Sequence, residues 1–245
     1  MRKAIILLIN NLRKFLREKF NQYNVTLPYV ITLIVALVVV IGGINLFIEL
    51  TETLKSDLLA DYDQAITQYV ISQRSPNLTK FLMFVTNVGD FYGYVIVVGI
   101  FTLLSIFVFK SWKYILQIVF VLVLSSISNL ILKRFVDRAR PGIEHMVSVE
   151  TLSYPSGHAM SAIAFYGFLI YLFYRFKMNM VLKSVIILIL VLLIFSIGFS
   201  RIYLGVHFPS DIAGGYIAGF IWVVFCVVLF NLIEVFRRDP ATPNV

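Results

Sequence analysis

Six apolar runs, most of them about twenty residues long, divide this chain into segments for which a soluble interior has no ordinary place. They lie at about residues 28–50, 81–109, 114–133, 158–175, 183–201 and 211–236, and each is long enough to cross a hydrocarbon layer of ~30 Å as an α-helix. In hydrocarbon a backbone must satisfy its own hydrogen bonds, so such runs fold as helices. With 60% hydrophobic residues and a mean hydropathy of +0.89, the chain reads as all-α, a six-transmembrane-helix bundle whose environment is the lipid bilayer.

The formal net charge of +8 raises nucleic acid as a partner, but the distribution of the basic residues argues otherwise. If the N-terminus is cytoplasmic, thirteen of the 21 Lys and Arg fall on inner segments, among them Arg2, Lys3, Arg13, Lys14, Lys110, Lys113, Lys177 and Arg237. Outside the polar motifs described below, the opposite side holds only Lys55, Arg74 and Lys80. Basic residues gather in the cytoplasmic loops of membrane proteins, so both termini are expected in the cytoplasm and no nucleic-acid partner is expected.

Residues 1–23 place Ile5, Leu8, Ile9, Leu12, Leu16 and Phe20 at helical spacing, with Lys14, Arg17 and Glu18 elsewhere on the wheel. This pattern predicts an amphipathic helix on the cytoplasmic membrane surface, and its charges interrupt the apolar core that a secretory signal requires. Residues 24–236 then form a single six-span domain and 237–245 a cytoplasmic tail. The first outer loop, about 51–80, carries a weak helical pattern through Ile66, Tyr69, Val70 and Gln73. It is read as a short surface helix, chiefly a solvated connector, ended by Ser75-Pro76. Cys226 is the only cysteine; it has no disulfide partner in the chain and is assigned to packing.

Ionisable residues are costly beside hydrocarbon and mark candidate functional sites. Here they concentrate in Lys133–Pro141, Pro155–His158 and Ser200–Asp211, and alternation of the spans brings all three to the extracytoplasmic side. Cations with two imidazoles suggest phosphoryl transfer, which needs positive charge around the phosphate oxygens and a nucleophile opposite the leaving group. Lys133 is a point charge and Arg140 a planar fork. Seven residues apart, they share a face if the third helix runs on, although Pro141 discourages continuation past Arg140. Arg201 closes the cradle from another side.

Pro155-Ser156-Gly157-His158 opens the fourth helix, whose unpaired amides and positive dipole end suit an anion. Gly157 admits close backbone approach, and Ser156 is an N-cap whose hydroxyl is also compatible with a phosphate contact. His207 and Asp211 flank a helix start at Pro209-Ser210. A carboxylate bonded to one ring nitrogen fixes the tautomer and leaves the other free to attack phosphorus. His158 then protonates the departing oxygen and later activates water. Among other polar residues, Arg134, Asp137 and Arg138 are assigned to solvated surface or local ion pairs. Tyr154 and Tyr203 are assigned to the pocket edge or the membrane interface, and Gly215 with Gly219 to close helix packing.

The pattern K-x6-R-P, P-S-G-H and S-R-x5-H-x3-D resembles the three-part signature of the type 2 phosphatidic acid phosphatase superfamily, with order and internal spacing intact. The resemblance implies a metal-independent lipid phosphatase without a cofactor. His207 becomes transiently phosphorylated, Asp211 orients it, and His158 serves as acid and then base. Lys133, Arg140 and Arg201 bind phosphate, assisted by Ser156 and the Gly157 amide. The expected substrate is a membrane lipid phosphate or diphosphate, with phosphatidylglycerophosphate, phosphatidate and undecaprenyl diphosphate all satisfying the description. The expected location is a bacterial plasma membrane, with the site facing outward. Two other readings remain open: a phosphotransferase in which a lipid or sugar hydroxyl replaces water, and a transporter that binds lipid phosphate without cleaving it. The last needs the cations but has little need of two histidines and Asp211.

Overall fold

Each polar break between the apolar runs ends or begins a helix. The computed structural model describes residues 14, 27–136, 138–148 and 152–237; apart from Lys14, the amphipathic helix expected over 1–23 lies outside them, as do Asp137 and the tail from 238. The described helices are α1 (Leu27–Thr53), α2 (Asp57–Ser72), α3 (Pro76–Val88), α4 (Phe91–Phe107), α5 (Lys113–Phe135), α6 (Gly157–Arg175), α7 (Met180–Tyr203) and α8 (Pro209–Arg237). Side chains define their starts: Ser56 Oγ accepts from Leu59 N, Ser156 Oγ from Ala159 N, and Asn179 Oδ1 from the amides of Val181 and Leu182, relieving amides that have no partner in the first turn.

Five helices, α1, α5, α6, α7 and α8, are each long and apolar enough to cross a membrane, and α3 with α4, a bent pair, is long and apolar enough together to count as a sixth candidate. The chain is a multi-pass membrane protein. The bend corrects the expectation of one continuous second span over 81–109: the two helices meet at 62°. Asp90 caps α4 through a bond accepted from Phe91 N at 2.8 Å. A side chain at Gly93 would meet the carbonyl oxygens of Asn87 and Val88 at 2.2 and 2.5 Å, so the turn closes only where no Cβ stands. Mean hydropathy runs straight through such a corner, which is why apolarity alone did not mark it.

The bundle is organised around α6, of whose spanning window 61% is buried, against 0% for α1. α6 packs on α5, α7 and α8, α1 lies against α8, and α3 lies against α7. At Gly215 a Cβ would meet Ser156 O at 2.7 Å, and at Gly219 Ile163 Cγ2 at 2.1 Å. These two glycines let α8 approach α6 more closely than any larger residue allows. The outward faces of α1, α4, α5 and α7 are apolar and exposed, as lipid-facing helix surfaces are.

Candidate active site

The C-terminal ends of α5 and α7, the N-terminal ends of α6 and α8, and the α3–α4 corner all meet at one end of the bundle. Between them is a polar cavity of about 430 Å³ lined by Thr86, Asn87, Asp90, Lys133, Arg140, Val147, Ser148, Gly157, His158, Arg201 and His207. The three cations and both imidazoles picked out from the sequence therefore face one space. Lys133 and Arg140 reach it differently from the shared helical face considered above. α5 stops at Phe135, and Arg140 comes from the following loop, where its Nη1 donates to Val206 O at 2.6 Å.

Arg201 is buried at the end of α7. Its Nη1 donates to Thr86 Oγ1 at 2.9 Å, and its Nε has no hydrogen-bond partner among the described residues, leaving a buried donor available to an anion. Gly157 stands at the α6 N-terminus against Asn129, whose Nδ2 donates to Pro155 O at 3.0 Å and so holds the turn. Ser156 is fully buried and its hydroxyl is occupied by the cap; it stands behind the cavity wall rather than in it. Asp211 is fully buried as well, one layer behind His207.

The His207 ring is held from both sides. Nδ1 lies 3.3 Å from Ser153 Oγ and 3.4 Å from Asp211 Oδ2, and Nε2 lies 3.3 Å from Arg140 Nη1. A guanidinium only donates, so the bond at Nε2 requires that nitrogen to accept, which puts the ring proton on Nδ1 beside the carboxylate. Burial pushes the imidazole down to about 4, with the Asp211 bond and charge opposing and the charges of Arg201 and Arg140 acting in the same direction as burial. A neutral ring with a lone pair on the cavity side is the form a nucleophile requires.

Four contributors were not legible from the motifs. Ser153 Oγ donates to Asp211 Oδ2 at 2.5 Å while touching His207, and Thr86 holds Arg201. Arg138, expected at solvated surface, is a bridge: Nη1 donates to Asp211 Oδ1 at 2.6 Å and Nη2 to Asp63 Oδ2 at 2.7 Å, with its guanidinium 4.7 Å from the Phe208 ring centre. Asp63 of α2 also accepts from Ser210 N at 3.0 Å and from Ser210 Oγ. α2 is thus docked onto the site rather than being a solvated connector. Its buried face is Asp63, Thr67 and Val70, while Ile66 and Tyr69 of the expected pattern are exposed. Tyr154 and Tyr203 brace helices, Tyr154 with Thr51 of α1 and Tyr203 with Ser75 and Thr79. Among the described residues no group of three His, Cys, Asp or Glu side chains is placed to hold a metal.

Beside the polar cavity an apolar groove of about 480 Å³ runs between α4 and α5, lined by residues that include Tyr94, Val98, Val119, Leu122 and Leu130. Asp90, Gly157 and His158 border both spaces. Membrane-spanning helices, a cationic pocket and a lateral apolar groove define a membrane protein built to hold a phosphate attached to a lipid.

Comparison with known proteins agrees. Residues 114–233 match the model of the PAP2 superfamily, and the chain belongs to this type 2 phosphatidic acid phosphatase superfamily; it is a membrane lipid phosphatase. Phosphatidylglycerophosphatase B of Bacillus subtilis is 27% identical over 198 residues, covering 78% of this chain and 90% of that protein. The crystal structure of a transmembrane PAP2-type phosphatidylglycerolphosphate phosphatase from Bacillus subtilis superposes with a TM-score of 0.71 at 25% identity, covering 81% of this chain and 98% of the other. The structure of LpxE from Aquifex aeolicus superposes with a TM-score of 0.53 at 25% identity, over 67% and 93%.

Proposed function

We infer that the enzyme removes the terminal phosphate of a membrane lipid through a phosphohistidine intermediate, with phosphatidylglycerophosphate as the first substrate to expect. Phosphatidate and undecaprenyl diphosphate satisfy the same chemistry. The observation that carries the reading is the clamp on His207, a neutral ring with Nδ1 against Asp211 and Ser153 and Nε2 turned to Arg140 in a cationic cavity. The substrate suggestion rests on the Bacillus phosphatidylglycerophosphatase, matched by sequence and by structure over nearly its whole length.

In this mechanism the phosphate sits among Lys133, Arg140 and Arg201 and takes the Gly157 amide, with Ser156 securing the turn that presents it. His207 Nε2 attacks phosphorus while the bond to the lipid oxygen breaks, and His158 gives that oxygen its proton. Water then attacks the phosphohistidine as His158 takes a proton back, releasing inorganic phosphate and restoring His207. Asp211 stabilises the positive charge the ring acquires. The tail rests in the α4–α5 groove, so the lipid enters sideways. Residues 24–236 act as one phosphatase domain, flanked on the cytoplasmic side by residues 1–23 and 237–245. The site faces outward from a bacterial plasma membrane, as the basic inner loops favour.

The test is phosphate release from a panel of diacyl and polyprenyl phosphates in detergent, run beside trapping of labelled enzyme. The expected result is hydrolysis without an added acceptor and a labelled intermediate absent from His207→Gln. Undiminished turnover by a folded His207→Gln variant would overturn the nucleophile assignment.

A further inference from the structure

Behind His207 lies a cluster of buried charges. Asp211 has its two oxygens divided between two sets of donors. Oδ2 receives Phe208 N at 2.8 Å and Ser153 Oγ and faces His207 Nδ1, while Oδ1 receives Arg138 Nη1 at 2.6 Å. An arginine that close to a fully buried aspartate fixes its orientation but also cancels its charge, and a cancelled carboxylate offers little to a ring that becomes positive when it is phosphorylated. Asp63 changes this balance. It binds the other arm of the same guanidinium at 2.7 Å, is itself only 2% exposed, and is held in place by the Ser210 backbone and hydroxyl at the start of α8.

We propose that Asp63 and Arg138 are positioning residues for the phosphoryl transfer: Arg138 locks Asp211, and Asp63 neutralises Arg138, so the cluster keeps one net negative charge beside the phosphorylated imidazole. Two carboxylates and one guanidinium sum to that charge. α2 contributes a necessary element of the site from a loop with no catalytic motif. The inference rests on His207 attacking phosphorus, and it concerns the transition state rather than substrate capture, because neither Asp63 nor Arg138 lines the cavity.

Asp63→Asn removes the charge and keeps one acceptor oxygen, which serves Ser210 N or Arg138 Nη2 but not both, because those bonds are made to different oxygens of Asp63. A unit charge on the order of 10 Å away in a partly screened interior shifts a rate by roughly tenfold. In detergent-solubilised full-length enzyme the expected result is therefore a roughly tenfold or larger fall in kcat, with KM within about twofold of wild type and a cooperative thermal unfolding transition retained. The double variant Asp63→Asn with Arg138→Gln restores the net charge while giving up the Arg138 lock on Asp211, so its kcat is expected to lie between those of Asp63→Asn and wild type, several-fold above the single variant. A purely structural role predicts the reverse, a double variant no better than the single. Unchanged kcat in Asp63→Asn, or a double variant as slow as the single, overturns the proposal. Should Asp63→Asn fail to fold, the double variant decides alone: a kcat below wild type by less than tenfold supports the proposal, and a loss of tenfold or more sinks it. His207→Gln run in parallel separates the two ideas. An inactive His207→Gln beside an unaffected Asp63→Asn removes only this inference, whereas an active His207→Gln removes the phosphohistidine reading itself.

Discussion

At the level of single residues, the proposed chemistry is concentrated in one imidazole whose environment opposes its protonation. An ordinary histidine titrates near 6.5, but burial holds His207 at about 4. In the unfolded chain the ring takes a proton on passing below about 6.5, while the folded protein resists until about 4, so the folded state loses stability as pH falls through that window and is unaffected by this residue above it. The proposed nucleophile stays neutral across the same window. Ring nitrogen resonances of histidine-labelled enzyme, assigned by their loss in His207→Gln, should titrate with a midpoint of 5 or below; a midpoint at 6.5 or above contradicts the buried, neutral ring. Ser153 offers a second check. Ser153→Ala removes a buried donor to Asp211, a change worth about 1–2 kcal/mol, and is expected to lower kcat by roughly tenfold while leaving KM within about twofold. Equal kcat in a steady-state comparison would show that the hydroxyl does not hold the carboxylate.

At the level of elements, the glycines of α8 set how closely the site's two N-terminal helices approach each other. Gly219→Leu forces a side chain into Ile163 and Met160 O and is expected to lower the thermal unfolding midpoint and reduce activity together. Gly99→Ala, where nothing lies within 4 Å, serves as the control and should be neutral or slightly stabilising. A Gly219→Leu variant with an unshifted melting curve would mean that α6 and α8 are not tightly apposed. Five of the six crossings were readable from apolar runs because hydrocarbon leaves the backbone one economical solution. The sixth was readable as apolar but not as bent, since the corner depends on a cap at Asp90 and a clash-free Gly93. The cavity's cations and imidazoles were readable because their spacing within each short segment is fixed. Asp63 and Arg138 were not, because an ion pair between residues far apart in the chain leaves no periodic trace. The one available signal was that Asp63 and Thr67 stand four apart with Val70 on a helix otherwise rich in exposed apolar residues, a polar stripe that needs a partner.

For the whole molecule, the convergence of the helix ends puts every catalytic candidate at one end of the bundle, and the proposed orientation, drawn from the basic loops, turns that end to the exterior. Cys226 is fully buried, so introduced thiols can report topology against a silent background. In intact cells Glu144→Cys, in the loop beside the site, should react with a membrane-impermeant maleimide. Lys177→Cys, at the opposite end between α6 and α7, should react only after permeabilisation. The inverse labelling pattern would turn the enzyme round. The splayed corner between α3 and α4 also gives the two products different ways out. In the proposed mechanism inorganic phosphate departs into water from the polar cavity, while the dephosphorylated lipid slides back along the α4–α5 seam without leaving its leaflet. Such an enzyme responds to how crowded its substrate is within the membrane plane, so diluting the lipid with inert amphiphile should slow it even when the amount in the tube is unchanged.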